Sequence, residues 1–133
     1  MQVRDGMTEI VLTIGPALNL REAATKMTER NVGAAIVIDE ALPGPAIISE
    51  RDVLRSVGSG EDPDVERVGD HMSEKVISAA PDWSLERAAA EMAQRSIRHL
   101  LVIDGAEIVG MLSMRDIMRV WSSDGATSDM PST

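Results

Sequence analysis

One polar tetrad occurs twice in the chain. Ser49-Glu50-Arg51-Asp52 stands in AIISERDVLRSV, and Ser113-Met114-Arg115-Asp116 stands in GMLSMRDIMRVW. Each S-x-R-D follows a strand-like apolar run and opens a helix-like run. Two kinds of chemistry suit that place. A serine at the N-cap accepts a hydrogen bond from an orphan N–H, and an aspartate three residues on favours the positive helix end. The same end offers N–H donors to an anion, and a carboxylate there can accept hydrogen bonds from a pair of hydroxyls. The uses are compatible, so capping does not refute a ligand site. A second polar feature is Arg98-His99, a forked donor beside an imidazole, which the first copy replaces by Gly33-Ala34.

The elements that position these residues also come in pairs. Sliding the sequence by 65 residues brings residues 3–39 onto 68–104, with Asp5/Asp70, Met7/Met72, Pro16/Pro81, Leu20/Leu85, Met27/Met92 and Asp39/Asp104 identical. After a one-residue deletion the offset becomes 64, and Ser49/Ser113, Arg51/Arg115, Asp52/Asp116 and Arg55/Arg119 coincide. Such a repeat sets the architecture. Each copy predicts a short strand (11–13; 76–78), a loop containing a proline, and a helix over 20–30 or 85–95. Leu20, Ala23, Ala24 and Met27 follow the i, i+3, i+4, i+7 pattern, as do Leu85, Ala88, Ala89 and Met92. Asn19-x-x-Glu22 has capping-box spacing and Ser84 is a good N-cap. Next come apolar strands at 34–38 and 100–103, whose lack of alternation suits burial on both faces. A turn, a second strand (46–48; 108–112) and the S-x-R-D helix complete each copy.

The unit is therefore β-α-β-β-α, too small to fold alone with ease. The expected division is a first unit at 3–57, a linker at 58–67, a second unit at 68–121 and a disordered tail at 122–133.

Composition narrows the functions. The chain has 133 residues, a formal charge of −9 and no cysteine. Disulfides, zinc–thiolate sites and thiol catalysis are excluded. The acidic balance disfavours nucleic acid and anionic membranes as partners, although a few local arginines can still hold a small phosphate compound. Trp83 and Trp121 are the only aromatic residues, so stacking platforms for single strands are absent. No apolar run is long enough to span a bilayer, and residues 1–9 lack a signal-peptide pattern, so a cytoplasmic protein is expected. Catalytic motifs are missing, and no cluster of His with Asp or Glu in the sequence resembles a metal site. His71 receives no role, and Glu61-Asp62-Pro63-Asp64 lacks the spacing of a calcium loop. No enzyme and no metal are expected.

A tandem β-α-β-β-α unit whose last helix opens with S-x-x-D resembles the CBS domain, named for cystathionine β-synthase. The D-x-M-[ST]-E lead-ins, the proline before the first helix and Ile97-Arg98-His99-Leu100-Leu101-Val102-Ile103-Asp104 also match. The resemblance covers residues 3–121. It implies an α/β (α+β) fold in which two CBS units pack through their sheets as one pseudo-twofold module. It implies a homodimer and clefts that hold AMP, ADP or ATP, with NAD(H) or S-adenosylmethionine as alternatives. It also implies regulation of an unknown downstream protein, without catalysis.

Carried to this chain, Asp52 and Asp116 become ribose anchors, the role an acidic residue plays in dinucleotide folds. Ser49 and Ser113 hydrogen-bond phosphate or ribose. Thr13 and Ser78 line the adenine and ribose side, with backbone groups of 11–13 and 76–78 reading the base edge. Arg98, His99, Arg51 and Arg115 face phosphate. Ile47, Ile48, Met111 and Leu112 are candidate walls for the base. Because Arg98 and His99 occur once, two clefts should not bind equally. The rival reading is a dimerisation or interaction module with empty or weakly binding clefts.

Overall fold

The expected caps form in both repeats. The computed structural model describes residues 1–125. The first repeat comprises β1 (Thr13–Ile14), α2 (Leu20–Arg30), β2 (Ala34–Val37), β3 (Ala46–Ser49) and α3 (Glu50–Gly58), after a short helix α1 (Val3–Gly6). The second comprises β4 (Ser78–Ala79), α5 (Leu85–Arg95), β5 (His99–Asp104), β6 (Glu107–Ser113) and α6 (Met114–Val120), after a short helix α4 (Val68–His71). Asn19 and Glu22 close the capping box of α2, with Glu22 N–H donating to Asn19 Oδ1 at 2.8 Å. Ser84 Oγ caps α5 by accepting from Arg87 N–H at 3.1 Å. Both helices end on a residue in the left-handed region, Asn31 and Ser96.

Several boundaries differ from expectation. The first strands lie two residues later, because regular pairing with the central strand begins at Thr13 and Ser78. The lead-ins form one-turn helices that the apolar pattern does not announce, being too short for periodicity. Residues 122–125, assigned to the tail, continue α6 as a π-helical turn over Trp121–Gly125. The remainder of that tail, 126–133, lies outside the described residues.

Each repeat has a three-stranded sheet, ordered β1-β2-β3 and β4-β5-β6. The outer pairs β1–β2 and β4–β5 are parallel, whereas β2–β3 and β5–β6 are antiparallel. One face of each sheet carries the helices. Ile14, Ala35, Val37, Ala46 and Ile48 join Leu20, Ala23 and Met27 in one core. Ala79, Leu100, Val102 and Leu112 join Leu85, Ala88, Met92 and Ile117 in the other. Every residue of β2 is buried, as an apolar run without alternation requires. The β5–β6 hairpin turns through Gly105 at φ 65°, a conformation that costs glycine little.

The compact units do not follow the repeat boundaries. One is Val11–Val76, and the other joins Met1–Ile10 to the chain from Ile77 onward. These packing units cut across the expected division at 58–67, because each lead-in packs with the other repeat. Backbone pairing supplies the reason. Val68 N–H donates to Leu18 O at 2.8 Å, and Ser73 exchanges bonds of 2.8 and 3.0 Å with Ile47 on the edge of β3. In the other unit Val3 N–H donates to Trp83 O at 2.8 Å, and Thr8 exchanges bonds of 2.9 and 3.0 Å with Met111 on β6. The lead-ins thus satisfy edge strands that would otherwise stay open. Gly110 makes this approach possible, since a Cβ there would lie 2.8 Å from Thr8 O.

The linker is held down as well. The Arg21 guanidinium is hydrogen-bonded to the Asp64 carboxylate, which raises its pKa above the ordinary value. Arg67 Nη1 donates to Ala17 O at 2.8 Å.

Candidate functional site

The strand register places Thr13, Ser49, Ser78, His99 and Ser113 on the sheet face opposite the helices. Thr13 pairs with Ile36, which pairs with Ile47, while Ser49 pairs with Ala34. Paired residues share a face, and residues two apart on a strand share it too. Thr13, Ala34, Ile36, Ile47 and Ser49 therefore form one surface. The second repeat repeats the array with Ser78, Leu101 and Met111 in one row and His99 beside Ser113. Thr13 and Ser49 stand two strands and two residues apart, roughly 12 Å from Cα to Cα, as do Ser78 and Ser113.

The same register sorts the candidate base walls. Ile47 and Met111 lie on this face, whereas Ile48 and Leu112 are fully buried in the helix-covered cores. Those two are packing residues, because alternation along the strand turns them away.

The edge strands also present backbone. Leu12 O and Ile14 O accept from Ile36 N–H at 2.9 Å and Ile38 N–H at 3.1 Å. In a parallel ladder only alternate residues bond to a given neighbour. The amide and carbonyl of Thr13 therefore face outward from β1, and those of Ser78 face outward from β4.

Both S-x-R-D tetrads form capping boxes. Ser49 N–H and Oγ donate to Asp52 Oδ2 at 2.7 and 2.9 Å, and Ser49 Oγ accepts from Asp52 N–H at 3.4 Å. Ser113 N–H donates to Asp116 Oδ2 at 2.9 Å, and Ser113 Oγ accepts from Asp116 N–H at 3.0 Å. Beyond the caps the copies differ. The described side-chain bonds of half-buried Asp52 all end on Oδ2. Asp116 is 7% exposed and uses both oxygens, with Oδ1 accepting from Arg119 Nη1 at 3.0 Å. Arg119 is fixed in turn by Gly6 O, which accepts from Nη2 at 3.3 Å. Arg51 and Arg115 project from the exposed first turns of α3 and α6. Arg98 is exposed just ahead of β5, and its carbonyl accepts from Met114 N–H at 2.9 Å. His99 is half-buried beside Ser113. Arg98, His99, Ser113 and Asp116 thus meet at the junction of β5, β6 and α6.

The fold also assembles a cluster that sequence spacing conceals. One ligand atom each from Glu61, Glu66 and His71 lie within 4.8 Å of one another. Sequence spacing does not predict this cluster, because steps of five residues across a linker match no single element. The signal available was His71 itself, a residue without a role.

Known proteins now give this arrangement a context. The sequence model of the CBS domain matches residues 2–59 and again 68–123. The chain is 35% identical over 116 residues to the CBS domain-containing protein YhcV of Bacillus subtilis, covering 86% of this chain and 81% of that one. It spans about half the length of other curated relatives. A putative signal-transduction protein with CBS domains from Burkholderia ambifaria superposes with a TM-score of 0.82 at 27% identity, over 100% of this chain and 98% of that one. The CBS domain protein PAE2072 from Pyrobaculum aerophilum, solved in complex with AMP, gives 0.76 at 26% identity over 92% of this chain and 99% of that one. Two matched repeats, two capped S-x-R-D helices and two three-stranded sheets of one topology lead to one assignment: this chain belongs to the CBS domain family.

Proposed function

We propose that the chain is a regulatory sensor that binds an adenosine compound, AMP, ADP or ATP, on the sheet face bearing Thr13, Ser49 and Asp52. The single observation that carries this reading is the array itself. It sets an outward backbone edge at one side, the half-buried apolar side chain of Ile47 between, and a capped helix start with a carboxylate at the other side. A base suits the edge and Ile47, a ribose suits Asp52, and a phosphate suits the start of α3 and Arg51. The AMP complex of PAE2072 supports an adenosine ligand. In the second repeat Ser78, Ser113 and Asp116 form the matching array, with Arg98, His99 and Arg115 as phosphate partners. Arg119 already occupies Asp116 there, which supports unequal sites. The chain senses rather than catalyses, and the cytoplasm is its compartment. Among the described residues no helix is long and apolar enough to cross a membrane.

Thermal unfolding tests the ligand. After any co-purified compound is stripped, AMP, ADP, ATP, NAD+, NADH and S-adenosylmethionine are added in turn. At 100 times its dissociation constant a ligand adds about 2.7 kcal/mol. The expected result is a shift of several degrees with an adenine mononucleotide. A shift with NAD(H) or S-adenosylmethionine alone would replace the ligand, and no shift with any compound would favour an interaction module.

A homodimer is part of the same reading. Leu54 and Met118 occupy equivalent positions on α3 and α6 and are 70% and 63% exposed. Val57 and Trp121, also equivalent and exposed, extend each patch by one turn. A second copy suits such a duplicated apolar surface, because a twofold contact joins like with like. Light scattering after size exclusion should give two chains per particle, and Leu54→Glu with Met118→Glu should give one. A monomeric parent protein would defeat this part.

A further inference from the structure

We infer that Glu61, Glu66 and His71 form a divalent transition-metal site, with zinc the best match. The inference is independent of nucleotide binding. His71 Nε2 lies 2.7 Å from Glu66 Oε1, and Glu61 brings a third donor within 4.8 Å of both. Three donors on a tetrahedral zinc with bonds of about 2.0–2.1 Å stand roughly 3.3 Å apart. One pair stands at 2.7 Å and the others within 4.8 Å, so small side-chain rotations reach that separation. One imidazole and two carboxylates suit zinc or manganese, and three protein donors leave a position for water.

The internal repeat supplies a control on this reading. Glu66 O accepts from Leu20 N–H at 2.9 Å, and Met1 O accepts from Leu85 N–H at 3.1 Å, which makes Met1 the counterpart of Glu66. The same superposition of repeats makes Gly6 the counterpart of His71 and Val120 the counterpart of Ser56. The fold therefore builds this corner from Met, Gly and Val in one unit and from Glu, His and Ser in the other. Polar groups are not needed to build it. Ser56 is only 2% exposed and donates from Oγ to Glu61 Oε1 at 2.9 Å. A buried hydroxyl that orients a carboxylate is the outer support a metal ligand requires. Glu61 N–H also donates to Ser56 O at 3.1 Å, which fixes the linker against the end of α3.

A bound ion would replace the hydrogen between His71 and Glu66 and tie the linker to α4. Metal binding would then stiffen residues 59–71.

The test uses the full chain, stripped with a chelator and titrated calorimetrically with Zn2+, then with Mn2+ and Mg2+. One Zn2+ per chain is expected, bound more tightly than Mg2+. His71→Asn and Glu66→Gln should abolish that step, and Ser56→Ala should weaken it by about tenfold or more. With Co2+ the protein should show visible absorption bands that His71→Asn removes. Circular dichroism confirms that each variant folds. Zinc binding unchanged in His71→Asn would overturn the site, as would no Zn2+ binding by the folded parent protein.

Discussion

Replacing Asp52 with alanine should weaken AMP binding about 100-fold or more, while Asp116→Ala should change it less than about threefold. Hydrogen bonds to a charged group contribute about 1.5–3 kcal/mol each, and a ribose diol offers two. Asp52 has an oxygen to give, since its described side-chain bonds end on Oδ2. Asp116 has less to give, because Ser113 N–H already engages one oxygen and the Arg119 guanidinium the other. Stability should move in the opposite sense. Loss of Asp116 strands the Arg119 guanidinium and opens the cap of α6, costing about 1–3 kcal/mol. Loss of Asp52 opens a cap on a more exposed helix, costing about 1 kcal/mol. Calorimetric titration with AMP and thermal unfolding of both variants read the two effects separately. Asp52→Asn keeps an acceptor for Ser49 N–H, so it isolates the charge from the cap. A larger affinity loss in Asp116→Ala would move the ligand to the second repeat. Equal losses would mean two equivalent sites.

Deleting residues 1–9 should unfold the second repeat and leave the first protected. Val3 is fully buried in the core built by α5, β5, β6 and α6. Burying a valine contributes about 1.5–3 kcal/mol. The deletion also removes the Val3–Trp83 and paired Thr8–Met111 backbone bonds, each contributing about 1 kcal/mol net. The sum, about 4.5–6 kcal/mol, is a large part of the 5–15 kcal/mol that typical domains possess. Hydrogen exchange should show protection lost across β4–β6 and α5–α6. Loss across β1–β3 instead would mean that each lead-in serves its own repeat. The same logic argues against cutting the chain at 58–67 to obtain half-modules, since each piece would keep the wrong lead-in.

Local signals in the sequence determined most of the elements and none of their exchange. The 65-residue repeat, the Leu20–Met27 and Leu85–Met92 stripes and the unalternated strands are properties of neighbouring residues. Helices α2, α3, α5 and α6, the central strands and all four caps follow from them, because a cap joins residues three apart. The two S-x-R-D sites were likewise legible as helix starts after buried strands. Three things required tertiary structure. The lead-ins cross to the other repeat because backbone pairing with Ile47 and Met111 depends on which edge is open, and an edge has no signature in the strand before it. Asp52 and Asp116 differ because Gly6, 110 residues from Asp116, steadies the arginine that closes on it. Glu61, Glu66 and His71 meet because the linker folds back on α3 and α4. Spacing along a chain predicts contact only within one regular element. Beyond it, chain folding decides which side chains share a place.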